Sequence, residues 1–115
     1  MKVRETFLSI PVADMERARR FYVGAFDASV QYESPVWSSL RIAGVRLGLN
    51  ASPHDAGSRT GLHFVVDDLA LACEAIVSAG GEVVAHPSEV QPGVVLADVA
   101  DTEGNIFTLS RATED

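Results

Sequence analysis

The sequence predicts an α+β fold: two βαβββ modules packed together, with helices on one face of a mixed sheet. Three observations lead there. The stretch Gly61–Gly81, GLHFVVDDLALACEAIVSAGG, opens with strand-like alternation, placing Leu62, Phe64 and Val66 on one face and Gly61, His63 and Val65 on the other. Asp68 then stands where a helix N-cap belongs, and Leu69, Ala72, Cys73 and Ile76 follow as one apolar stripe. The chain also holds this pattern twice. Shifting Leu8–Val30 by 54 positions superimposes Val12 on Val66, Asp14 on Asp68, Met15 on Leu69, Ala18 on Ala72, Tyr22 on Ile76 and Val30 on Val84. Finally, the ends of the halves match, because Gly44, Leu47 and Leu49 lie 60 residues before Gly104, Phe107 and Leu109. The offset grows because the second half has a longer loop around Ala85–Gly93. A repeated unit too small to bury its own apolar face is expected to pack against its copy.

In chain order, Glu5–Ile10 reads as the first strand, ended by Pro11, which has no N–H to give a ladder. Asp14 caps a helix whose buried stripe is Met15, Ala18, Phe21, Tyr22, Ala25 and Phe26, with Glu16 and Arg20 paired on the wet side. Strands follow at Ser29–Glu33, Val36–Ile42 and Val45–Asn50, with Ala43-Gly44 as a hairpin turn. The stretch Ala51–Thr60, ASPHDAGSRT, is a linker, and His54 within it reads as solvated. The second module repeats the order: a strand from Gly61, a helix stopped by Gly80-Gly81, a strand near Glu82–Ala85, and a Pro-flanked loop from His86 to Pro92. Then come a strand at Val94–Val99, a turn at Asp101–Asn105 and a last strand at Ile106–Ser110. The expectation is one domain over residues 1–115, with modules at about 5–50 and 61–110 joined by the linker 51–60.

The totals narrow the function classes. A 47% hydrophobic chain of 115 residues is expected to be globular. A formal charge of −7, with no basic cluster longer than Arg17, Arg19 and Arg20, argues against nucleic acid and anionic membranes. No apolar run approaches a membrane helix, and Lys2, Arg4 and Glu5 do not open a signal peptide. The single cysteine excludes an intrachain disulfide, and a cytoplasmic location is expected.

Alternation also separates two faces. Leu8, Ile10, Val45, Leu47, Leu49, Leu62, Phe64, Val66, Phe107 and Leu109 form a bulky face for helices to cover. The other face carries Phe7, Ser9, Arg46, Gly48, Asn50, Gly61, His63, Val65, Ile106, Thr108 and Ser110. Small residues among polar ones suit the lining of a cavity, and solvent exposure is the bland alternative.

The double repeat, the opening IPVADMERARRFY and the ending DTEGNIFTL resemble the vicinal oxygen chelate superfamily. That group includes glyoxalase I, extradiol dioxygenases, methylmalonyl-CoA epimerase, fosfomycin-resistance enzymes and bleomycin-resistance proteins. Thr102 departs from the pattern, standing where members often have proline. The resemblance implies one glyoxalase-like domain, a concave sheet face that holds ligands, and a homodimer. In metalloenzymes of the group that face binds a divalent ion through His, Gln or Glu. The corresponding positions here are Phe7, Gly48, Gly61 and Thr108, none of them an ordinary ligand. The resemblance therefore implies no metal and no cofactor.

Two functions follow. One is a metal-free protein of the glyoxalase/bleomycin-resistance type that binds a small organic molecule. The other is a lyase, isomerase or dioxygenase acting on a small organic substrate, and the missing ligands count against it. A module with no ligand at all is the third possibility. The expected ligand-binding residues are His63, Arg46, Asn50, Trp37, Phe7 and Thr108, with Gly48 and Gly61 leaving volume for a guest. No catalytic residue is assigned. The competing readings are a satisfied interior or rim histidine, or a general base, for His63, a solvent-facing edge pair for Arg46 and Asn50, and core or subunit contact for Trp37. Arg41 joins them or points away. Cys73 reads as a small core residue, and Asp98, Asp101 and Glu103 as turn residues.

Overall fold

The computed structural model describes residues 1–112. Its elements run β1 (Leu8–Val12), α1 (Met15–Phe26), β2 (Ser29–Glu33), β3 (Trp37–Ile42), β4 (Val45–Ala51), β5 (Arg59–Val66), α2 (Leu69–Ser78), β6 (Glu82–Gln91), β7 (Val94–Ala100) and β8 (Ile106–Arg111). The mixed sheet is divided in two. Strands order β1-β4-β3-β2 in one sheet and β5-β8-β7-β6 in the other, each with one parallel pair, β1/β4 or β5/β8. The repeat holds to the residue. Ser9 pairs with Gly48 and His63 with Thr108, positions related by the two sequence offsets.

Both helices start as the sequence dictates. Asp14 accepts from the Arg17 amide at 3.0 Å and Asp68 from the Leu71 amide at 3.1 Å, each satisfying a first-turn N–H. After α2 the chain turns through Gly80 at φ 101°, a conformation that a Cβ disfavours.

Several boundaries differ from expectation: β1 begins at Leu8 and not at Glu5, and β5 begins at Arg59, inside the expected linker. Pro11 does not end β1 but lies inside it. That strand is the outer one of its sheet and pairs only with β4, so the missing N–H removes little. The loop expected from His86 to Pro92 is mostly strand, since β6 continues to Gln91. This too is an outer strand, and register shifts at Val83/Ala85, Ala85/Ser88 and Glu89/Gln91 accommodate Pro87.

One core serves both modules. Phe26 of α1 stacks on Phe64 of β5 at 4.3 Å, and Phe64 and Tyr22 both lie against Phe107 of β8. A polar latch adds to it. The Glu103 carboxylate, in the turn before β8, accepts from the Ala13 and Asp14 amides at 3.0 and 2.8 Å and from Arg17 Nε at 2.8 Å. It closes the start of α1 from the other module, where a negative charge is favoured. Tyr22 donates to buried Asp101 at 2.6 Å, and Asn105 Nδ2 donates to the Pro11 carbonyl at 2.8 Å. The residues read as turn chemistry thus also join the modules.

Candidate ligand-binding site

The core-facing set is nearly as alternation requires: Ile10, Leu47, Leu49, Phe107 and Leu109 are buried, with Leu8, Leu62, Phe64 and Val66 packed against them. Val45 is the exception, 58% exposed beside the hairpin turn. The opposite face differs between modules.

In the first module Trp37, Ser39 and Arg41 of β3 stand opposite Asn50, Gly48 and Arg46 of β4, so all six share one face. A Cβ on Gly48 would come within 2.2 Å of the Trp37 ring. Gly48 is therefore small because an indole lies over it, and the volume expected there for a guest is filled by Trp37. Phe7 meets the indole edge-on at 5.8 Å between centroids, and the Arg46 guanidinium carbon sits 4.4 Å from the centre of the Phe7 ring. Arg46 also donates to Ser39 Oγ at 2.8 Å and forms an ion pair with Glu5. Arg41 faces the same way and donates to the Gly44 carbonyl at 3.1 Å. Asn50 donates to Ser9 Oγ at 2.8 Å and accepts from Ser52 Oγ. Glu5, Gln31, Tyr32, Trp37, Ser39, Arg41 and Arg46 line an open hollow of about 390 Å³.

In the second module His63 Nε2 lies 2.7 Å from Ser110 Oγ. This pair is the repeat equivalent of Ser9 and Asn50. Thr108 donates to Asp98 at 2.9 Å, and Asp98 pairs with Arg59 at 3.2 Å. The Arg59 hydrogen bond holds the Asp98 carboxyl below its usual range, against the opposing pull of burial. Gly61 has φ 80° at an irregularity between Arg59 and His63, so backbone conformation accounts for this glycine. The six expected ligand residues thus fall in two groups: Phe7, Trp37, Arg46 and Asn50 with the first sheet, His63 and Thr108 on the second.

The four positions where the superfamily resemblance would place metal ligands offer two glycines, a phenyl ring and one hydroxyl already donated to Asp98. Among the described residues no group of three or more His, Cys, Asp or Glu side chains is placed to hold an ion. The donor set does not fit a divalent metal. A larger hollow, about 630 Å³, opens at the start of α1. Its charges are mixed, Arg19 and Glu33 already pair at 3.0 Å, and no aromatic surface lines it. Cys73 is buried, and burial raises its thiol pKa, as suits a core residue.

Comparison with known proteins agrees with this architecture. The model of the glyoxalase-like domain matches residues 6–110. The chain belongs to that family. Among solved structures, this glyoxalase-like chain is similar to a glyoxalase/bleomycin resistance protein/dioxygenase family enzyme from Burkholderia phytofirmans. That match has TM-score 0.78 and 21% identity, over 91% of this chain and 95% of that one. It is similar to the fosfomycin resistance protein FosX from Listeria monocytogenes, with TM-score 0.77 and 20% identity, over 98% and 96%. It is also similar to an antibiotic binding protein from Streptomyces sp., with TM-score 0.77 and 25% identity, over 98% and 99%. None of the curated proteins matches.

Sequence reasoning missed Glu5, Gln31, Tyr32 and Ser39 as lining residues. Tyr32 is hidden by the register shift between Val30 and Tyr32, which breaks the alternation that would reveal its face. Glu5 lies before β1, which begins at Leu8, so strand alternation assigns it no face.

Proposed function

We propose that this glyoxalase-like protein binds a small organic molecule without a metal, in the hollow beside Trp37 on the open face of the first module's sheet. One observation carries the reading: an indole covers the glycine at one metal position, and the other three positions offer no suitable donor set. An aromatic wall with a few fixed polar groups is a binding surface, and among the described residues lining it none is an activated nucleophile. The antibiotic binding and fosfomycin resistance proteins with this fold support the class of function. Phe7 and Arg46 would brace the wall, with Asn50 at its margin. His63 and Thr108 lie on the other sheet, each engaged by a neighbour.

Trp37 is the only tryptophan, so its emission reports on the hollow. Titration with small aromatic compounds is expected to change that emission saturably, and equally after treatment with a chelator. Elemental analysis showing a zinc, nickel, manganese or iron ion on every chain after dialysis would contradict the reading.

We also propose a homodimer. Val65, Val84 and Val90 expose apolar side chains, and β2 and β6 are outer strands of their sheets. Sedimentation at micromolar concentration is expected to show a species above the 12.3 kDa monomer. A monomer alone would refute this.

A further inference from the structure

The hollow beside Trp37 contains a feature that binding of a neutral guest does not explain. Arg41 and Arg46 stand directly opposite each other on antiparallel strands, on one face. Like charges so placed repel across about 5 Å, and a sheet gains nothing from them unless something negative joins them. The chain is otherwise acidic, at −7, yet the lining of this hollow holds two arginines against the single carboxylate of Glu5. Among the described residues Glu5 reaches only Arg46, and the Arg41 guanidinium donates only to the Gly44 carbonyl. Beside the arginines stand the rings of Trp37 and Tyr32, with Tyr32 58% exposed.

We infer that the guest is a planar aromatic acid: its ring lies along Trp37 and Tyr32, and its carboxylate bridges Arg41 and Arg46. This deepens the function proposed above and rests on it. A guanidinium holds a carboxylate through paired N–H donors, and Arg46 is held in place by Ser39 Oγ and the Phe7 ring. Glu5 precedes β1 and occupies one side of Arg46, so it competes with the guest's carboxylate. It acts as an internal stand-in that an aromatic acid displaces and a neutral compound does not.

The test uses naphthoate and its uncharged amide, with affinity measured by calorimetry and location by the Trp37 indole N–H resonance. Naphthoate is expected to bind about tenfold or more tightly than the amide. Arg41→Gln, on an exposed side chain, is expected to erase that advantage, and Glu5→Gln to enlarge it several-fold. Arg46→Gln should act as Arg41→Gln does; if it fails to fold, Arg41→Gln decides alone. Equal affinities for acid and amide, both shifting the Trp37 resonance, would overturn the acid specificity and leave the binding reading standing. If neither compound shifts that resonance, the binding reading falls as well.

Discussion

The two modules share a backbone and differ on one face. The 54-residue offset makes Gly61 the repeat counterpart of Phe7, and strand pairing makes Leu96, Ala100 and Ile106 the counterparts of Trp37, Arg41 and Arg46. The first set builds an aromatic and cationic hollow; the second has neither a ring nor a charge. Meanwhile the positions that build the fold stay alike: Val12 and Val66, Asp14 and Asp68, Ala18 and Ala72. The helix-facing side is constrained by a single shared core, whereas the open side is constrained only by what lies on it. A site can therefore arise in one module while the other stays plain. Tyr22 and Ile76 show the same split inside the core. Both fill one stripe position, but only Tyr22 carries a hydroxyl, and it reaches Asp101 of the other module. Burial, then the adjacent Asp101 charge, keeps that phenol protonated.

The largest effect is expected where the modules meet. Phe107→Ala removes a ring packed against Tyr22, Phe26 and Phe64, and is expected to cost about 3–5 kcal/mol. Urea unfolding should remain one transition for both modules. Two separated transitions would show that the modules are independent and that the shared core has been overstated.

A smaller loss is expected at the latch. Glu103→Gln weakens the closure of α1, and about 2 kcal/mol should be lost near neutral pH. Burial would raise the Glu103 pKa, but hydrogen bonds from Arg17, the Asp14 amide and Thr102 overcome it and lower the value from 4.5 to about 2. A carboxyl with a depressed folded pKa stabilises the fold fully above its ordinary range, and that contribution fades as pH falls through the folded value. The stability difference between wild type and Glu103→Gln is therefore expected to shrink from about pH 5 towards pH 2. A difference independent of pH would place the effect elsewhere.

How much of this was legible in sequence follows from the same contrast. Core-facing residues repeat with a period, so the strands, both caps, the helices and the division into faces could be read directly. The extent of β6 could not, because its pairing shifts register three times and Pro87 looked like a stop. The latch could not be read either: Asp101, Glu103 and Asn105 suit a turn locally, and their bonds to α1, to the residues before it and to Pro11 span 79 to 94 positions. In the site, alternation put Arg46, Gly48 and Asn50 on the open face. It left Trp37 undirected and gave Gly48 the wrong reason for being small. A period says which side a residue faces, not which neighbour leans over it.

The smallest expected effect is on stability at the hollow. Arg41→Gln relieves the repulsion from Arg46, and thermal unfolding should show a change within about 0.5 kcal/mol, towards greater stability. A clear destabilisation would mean that Arg41 is a structural residue and not one reserved for a guest.

Gly48→Ala tests most directly whether the first module's open face is the binding site. Its new Cβ falls where the Trp37 ring lies, so the indole must move while the helix-facing core is untouched. Whichever of naphthoate and its amide binds the wild-type chain is titrated into this variant by calorimetry, with far-ultraviolet circular dichroism confirming the fold. The predicted result is a loss of affinity of about tenfold or more with unchanged secondary structure. Wild-type affinity in a folded Gly48→Ala protein would contradict it and move the site away from Trp37.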